Sequence, residues 1–223
     1  MTHPIVVKCG GAIAESAADL ILELAALEPV VVVHGAGPQI SAEMERRGLE
    51  VQFVGGRRVT SKAALEVVRR SMLEVNAALC AAVGDLALPL YGDEIGLRAQ
   101  QVPMLGMVGD PVPSAPEAVV AALDEGLIPV IAPLAAGPLN VNADEMAAAL
   151  AVGLDAERIL FVSDVPGLLD GGIVVPVIDA EEAGKLLDAG AFQGGIIPKL
   201  RAAITAAQLG VRAEIGRTQV VAA

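Results

Sequence analysis

The chain has 223 residues, a formal charge of −12 at pH 7, 54% hydrophobic residues and only 2% aromatic residues. The length suits one large domain or two small ones, with enough apolar content to bury a core of Ala, Val, Leu and Ile. The acidic balance argues against a nucleic-acid partner, which needs a basic face, and the scarcity of aromatics removes base-stacking platforms.

In chain order, residues 4–8 read as a strand that runs into Lys8-Cys9-Gly10-Gly11, and residues 16–27 have helical periodicity. Residues 30–33 are a β-branched run suited to a central strand buried on both faces. His34-Gly35-Ala36-Gly37-Pro38 then opens a helix that continues to Arg47. Residues 61–83 form one long helix, and residues 91–109 a hairpin or small sheet. Helices are expected over 116–125, 143–153, 180–189 and 198–209. Strands are expected over 128–132, 158–162, 212–215 and 218–221. Strands alternating with helices predict an α/β protein with a mainly parallel sheet. Ligands of such sheets bind beyond the carboxyl ends of the strands. Lys8, Gly35-Ala36-Gly37, the Asn140 region and Ser163-Asp164 all fall just past apolar runs, so one crevice is expected to collect them.

No basic and apolar leader precedes the first strand, and the longest uncharged stretch, 126–143, is broken by three prolines. Cys9 and Cys80 have no metal-ligand spacing, so a reduced cytoplasmic protein without membrane spans is expected, with no metal site of its own. Cys9 is either modestly activated by Lys8 or turned into the core by strand alternation.

The four lysines are Lys8, Lys62, Lys185 and Lys199, and two of them stand beside glycine pairs, Gly10-Gly11 and Gly194-Gly195. Paired glycines let backbone N–H groups approach an anion, and a helix N-terminus adds positive potential. Lys199, in the first turn of a helix, faces the unfavourable end of the dipole, which points to a phosphate rather than to helix stability. Asp144 begins a helix, where it either caps the helix or holds Lys8 and Lys199. Asn140 and Asn142 project to one side of an extended segment. Arg57-Arg58 is either a carboxylate clamp or a solvated turn. His34 either acts in catalysis or orients its loop by hydrogen bonds. The turn at Gly35 superficially matches a dinucleotide fingerprint, but Ile40 stands where that pattern needs Gly or Ala.

The ordered set VVKCGG, VVVHGAGPQI, GRRVT, IPVIAP, NVNADE, LFVSDVPGLL and GGIIPK resembles the amino-acid kinase family over nearly the whole chain, within it the branch that phosphorylates N-acetyl-L-glutamate. The resemblance implies one three-layer αβα sandwich over residues 1–223, with the acyl amino acid over the N-terminal half and ATP over the C-terminal half. It implies transfer of the γ-phosphoryl group of ATP, carried with Mg²⁺, to the side-chain carboxylate of N-acetyl-L-glutamate in arginine biosynthesis. Lys8 and Lys199 would stabilise the transferring group and Asp144 would orient both lysines. Gly10, Gly11, Gly35 and Gly37 would offer N–H groups, with Ala36 in the same turn. Arg58 would grip the substrate's α-carboxylate, and Asn140 and Asn142 would hold the substrate or the lysines. Ser163, Asp164, Gly167 and Gly195 would face the nucleotide.

Ala36 replaces a glycine usual in the family, Arg57 replaces an apolar residue, residues 90–101 match the family's loop poorly, and only Gly216-Arg217-Thr218 separates the last two strands. In arginine-inhibited members a helix before the first strand builds a hexamer and the inhibitor site. The resemblance therefore implies an arginine-insensitive homodimer here. Two alternatives stay open: a same-fold kinase acting on carrier-linked aminoadipate or glutamate, and a nucleotide-binding regulator without catalysis.

Overall fold

A computed structural model describes residues 3–11, 17–162 and 165–223. Strands β1 (Ile5–Cys9) and β2 (Val30–His34) flank helix α1 (Ala18–Ala25), and α2 (Gly37–Arg46) follows. The hairpin β3 (Phe53–Val54) and β4 (Arg57–Arg58) leads into the long α3 (Lys62–Val83) and then β5 (Ala87–Tyr91). The pair β6 (Ala99–Gln101) and β7 (Gly109–Pro111) precedes α4 (Glu117–Asp124) and β8 (Ile128–Ala132). Short strands β9 (Leu134–Ala135) and β10 (Leu139–Asn140) deliver the chain to α5 (Ala143–Gly153) and β11 (Arg158–Phe161). The remainder comprises the hairpin β12 (Leu169–Asp170) and β13 (Ile173–Val174), β14 (Val177–Asp179), α6 (Ala180–Asp188), α7 (Ile196–Gln208), β15 (Arg212–Ile215) and β16 (Thr218–Val221).

Among the described residues the centre is an eight-stranded sheet in the order β14-β16-β15-β11-β1-β2-β8-β5. The strands from β15 to β5 are mutually parallel, while β16 runs antiparallel to β15 and takes β14 with it. Strand alternation divides the core into two layers. Ile5, Val7, Val30 and Val32 pack with α1, α2 and α3, while Val6, Val31, Val33 and Phe161 pack with α4, α5, α6 and α7. The result is the expected three-layer αβα sandwich. Lys8 shares the parity of Val6, so the fold directs it under α5 and not under α3.

Ser61 explains where α3 starts: its hydroxyl accepts from Ala64 N at 3.1 Å. Residues 91–109 contain the expected small sheet in the antiparallel pair β6–β7. The sequence pattern did not reveal β5, because Pro89 interrupts it. The proline is tolerated since β5 is an edge strand of the sheet. The last two strands are joined by Gly216 and Arg217, and Gly216 has φ +55° with its backbone against Pro166, where a Cβ would come within 2.6 Å. No helix among the described residues is long and apolar enough to cross a membrane.

Leu150, fully buried on α5 under the sheet, reports on the α5 layer. Leu150→Ala is expected to lower the urea-unfolding free energy by about 2–5 kcal/mol, the range for a buried leucine left as a cavity.

Candidate active site

The carboxyl ends of β1 and β2, the β3–β4 hairpin and the N-termini of α2, α5 and α7 enclose a cleft of about 280 Å³. Of the predicted site residues, Lys8, Gly10, Gly11, Gly35, Ala36, Gly37, Arg58, Asn140, Asn142, Asp144, Gly195 and Lys199 all line it. Ser163 and Asp164 lie outside the described residues. Among the described residues four cations line the cleft, Lys8, Arg57, Arg58 and Lys199, against one carboxylate, Asp144.

At its floor, Lys8 Nζ lies 2.8 Å from Asp144 Oδ1, and both side chains are less than a tenth exposed. That carboxylate oxygen takes no further hydrogen bond among the described residues. Asp144 is in the first turn of α5, where a negative charge is favoured by the helix dipole. It is not the cap. Asn142 is, its Oδ1 accepting from Asp144 N at 2.9 Å and Glu145 N at 3.2 Å. Of the two lysines that the resemblance assigns to Asp144, Lys8 is the one paired with it at 2.8 Å. The Lys199 ammonium, reaching the cleft from α7, donates to the Gly195 carbonyl at 3.2 Å.

Arg58 is 6% exposed. Its Nη2 donates to Gly37 O at 3.0 Å and Ser41 Oγ at 2.8 Å, and its guanidinium lies 4.6 Å from the centre of the Phe53 ring. Burial pulls its pKa below the usual arginine value. No carboxylate among the described residues pairs with it, so a buried cation is held by neutral groups beside an open cleft. Phe53, missed from sequence, is one of only three phenylalanines; that scarcity was the available signal.

The glycines divide. At Gly11 a Cβ would meet Gly35 O at 2.6 Å, so only glycine lets the two turns pass. Gly37 opens α2 with free space around it, and its N–H has no intrahelical acceptor. Gly35 departs from expectation: its N–H donates to Cys9 O at 2.9 Å and is not available to a ligand. Ala36 is 1% exposed and belongs to the apolar cluster of the α2–α3 layer, which explains how the turn accommodates its methyl. Asn140 lines the cleft, but its amide donates to Thr60 Oγ1 at 3.0 Å. Gly167 does not line the cleft; at φ +144° it packs on Thr218, whose hydroxyl accepts from Leu168 N.

His34 points into the opposite layer. Asn76 Nδ2 donates to Val130 O at 2.9 Å and stands 3.1 Å from His34 Nε2. The carbonyl fixes the amide orientation, so His34 Nε2 accepts and Nδ1–H faces Gly35 O at 3.3 Å. Histidine thus orients the turn and does not reach the cleft. Burial lowers its pKa to about 4 and pushes the Cys9 thiol up to about 11, so Cys9 is a core residue and not an activated thiol.

Two outcomes follow. Asp144→Ala, which strands a buried ammonium, is expected to cost about 3–5 kcal/mol of stability by urea titration. Because folded His34 binds its proton less readily than unfolded histidine, its contribution is complete above pH 6.5 and is lost as pH falls towards 4. Across that window His34→Gln is expected to flatten the pH dependence of stability, by up to about 1.4 kcal/mol per pH unit.

Residues 3–216 match the sequence profile of the Amino acid kinase family. The chain is 39% identical to the acetylglutamate kinase of Roseiflexus castenholzii, over 96% of this chain and 91% of that one. It is 40% identical to the acetylglutamate kinase of Roseiflexus sp. RS-1, over 94% and 86%. Among solved structures, smu.665 from Streptococcus mutans UA159 superposes with a TM-score of 0.87 at 27% identity over the full length of both chains. A buried lysine–aspartate pair at the carboxyl end of β1, glycine turns around it and a match spanning nearly every element lead to one assignment: the chain belongs to the amino acid kinase family.

Proposed function

We propose that this protein transfers the γ-phosphoryl group of MgATP to the side-chain carboxylate of N-acetyl-L-glutamate. The observation that carries the reading is the charge of the cleft: apart from Arg57, which pairs with Glu145 and Asp110, Lys8, Arg58 and Lys199 meet one lining carboxylate, Asp144, among the described residues, in a chain with net charge −12. Such a site is built for anions, and both proposed substrates are anionic. The names of the relatives supply the particular acceptor.

In this reading a carboxylate oxygen attacks the γ-phosphorus, the bond from that phosphorus to the β–γ bridging oxygen breaks, and ADP leaves with the bond's electrons. The nucleophile is already ionised at neutral pH, so no general base is required. This agrees with a cleft that presents neither the His34 ring nor a reactive thiol. Catalysis then rests on positioning and on preorganised positive charge. Lys8 and Lys199 reach the cleft from β1 and α7 and are assigned to the charge on the transferring group. Asp144 fixes Lys8. Arg58 takes the substrate's α-carboxylate, while Gly10, Gly11, Gly37 and Gly195 shape the surrounding turns. Asn142 and Asn140 act indirectly, the first by capping α5 and the second through Thr60. The acyl amino acid is assigned to the N-terminal part, with Arg58, and the nucleotide to the C-terminal part, beside α7. Mg²⁺ enters as part of the nucleotide substrate. Among the described residues Asp144 is the one carboxylate lining the cleft, and it is engaged by Lys8; the metal is assigned to the nucleotide's phosphates.

Steady-state turnover of MgATP with N-acetyl-L-glutamate, glutamate and L-2-aminoadipate tests the proposal. Activity is expected with the acetylated substrate alone. Lys199→Ala is expected to lower kcat about 10²–10³-fold, the scale for removing one preorganised donor to transition-state charge. Nucleotide binding without turnover on any of the three would contradict it and favour a carrier-linked substrate or a regulator.

A further inference from the structure

Arg57 lines the cleft but has no task in the reaction proposed above, and its surroundings differ from those of Arg58. Neighbours on a strand point to opposite sides. The Arg57 side chain lies against α5, where Nε donates to both oxygens of Glu145 at 2.9 and 3.1 Å. Its Nη1 stands 2.5 Å from Asp110 Oδ1 on β7. The Arg57 and Glu145 side chains are each about a quarter exposed, so solvent screens the pair only in part.

Three consecutive residues of the β3–β4 hairpin thus have three different attachments. The Gly56 carbonyl accepts from Asn142 Nδ2 at 3.4 Å, Arg57 pairs with Glu145 and Asp110, and Arg58 enters the cleft. Asn142 and Glu145 flank the turn of α5 that carries Asp144. The hairpin bearing Arg58 is therefore joined to the helix bearing Asp144 within one helical turn. The hairpin has only two residues per strand, and Phe53 and Val54 are both about half exposed. So short a ribbon has little stability of its own, and its position depends on such attachments. Arg57 and Glu145 also form part of the wall of a second cavity, of about 260 Å³, between α5 and α7.

We infer that Arg57 is a positioning residue: paired with Glu145 and Asp110, it holds the β3–β4 hairpin against α5 so that Arg58 stands at a fixed place relative to Lys8 and Asp144. Its kinetic consequence rests on the reading of the cleft as the acyl-amino-acid site; its structural consequence does not.

Hydrogen exchange by mass spectrometry and steady-state kinetics, run on the wild type and on Arg57→Leu, separate the two. Loss of the pair is expected to speed exchange in residues 52–60 about tenfold while leaving β1 and α3 unchanged. The KM for N-acetyl-L-glutamate is expected to rise about fivefold or more, with much smaller changes in kcat and in the KM for ATP. Arg57→Lys, which keeps a charge within reach of the carboxylates, is expected to restore most of the protection. Glu145→Gln removes the partner's charge without shortening it and is expected to show the same pattern more weakly, which guards against misfolding of the leucine variant. Unchanged exchange and unchanged KM in Arg57→Leu and Glu145→Gln would overturn the inference. A wild-type protein inactive on N-acetyl-L-glutamate would contradict the functional reading, and the exchange data would still decide the role of Arg57.

Discussion

A lysine ammonium and a carboxylate, both more than nine-tenths buried, sit 2.8 Å apart where β1 meets the N-terminus of α5. Much of the surrounding architecture is what makes that pair tolerable. Strand alternation sends Lys8 to the α5 side of the sheet. Asn142 caps α5 and fixes the turn on which Asp144 is carried, and the helix dipole favours the carboxylate there. Desolvating two charges costs several kcal/mol per ion, and their attraction returns this only when the geometry is good. A buried pair is therefore weak evidence for stability. Its placement at the floor of a cleft, among glycine turns and helix N-termini, is better explained by chemistry on an anion.

The same logic sorts the other cations. An acidic protein that handles anionic substrates has to concentrate its few positive charges, and four of them line one cleft. They are not equivalent. Arg57 is neutralised by Glu145 and Asp110 and acts on architecture. Arg58, one residue later, is held by a carbonyl, a hydroxyl and an aromatic face, with no carboxylate among the described residues paired to it. Lys199 comes from α7, whose first turn carries no acidic residue and whose N-cap makes no side-chain hydrogen bond among the described residues, so the positive end of the helix dipole faces the cleft.

Much of this was legible in the sequence where a single physical signal dominated. The run Val30–Val33 had to be a strand buried on both faces, and residues 143–153, 212–215 and 218–221 coincide with their elements because periodicity and flanking breakers agree. Lys8, near the end of β1, and Asp144 and Lys199, in the first turns of α5 and α7, converge because each stands at an element end that opens on the cleft. What was hidden depended on contacts distant in sequence. Nothing in Arg57-Arg58 says which guanidinium meets Glu145, 88 residues away. Asn142, and not Asp144, proved to be the cap because the helix starts at Ala143. Gly35 looked like an N–H donor to ligand until the neighbouring strand end was seen to take that donor. Strand β5 was missed because a proline is read as a breaker unless the strand is known to be at an edge.

The central claim is that the buried pair is kept for chemistry and not for folding. The most direct measurement is on the double variant Lys8→Met/Asp144→Leu, which replaces both charges by apolar groups of similar size. Urea unfolding is expected to give a stability within about 1–2 kcal/mol of the wild type, or higher, since such replacements of buried pairs are often neutral or stabilising. Phosphoryl transfer in the same sample is expected to be abolished. A double variant that unfolds at much lower urea would show that the pair serves the fold, and one that still turns over substrate would remove Lys8 and Asp144 from the mechanism.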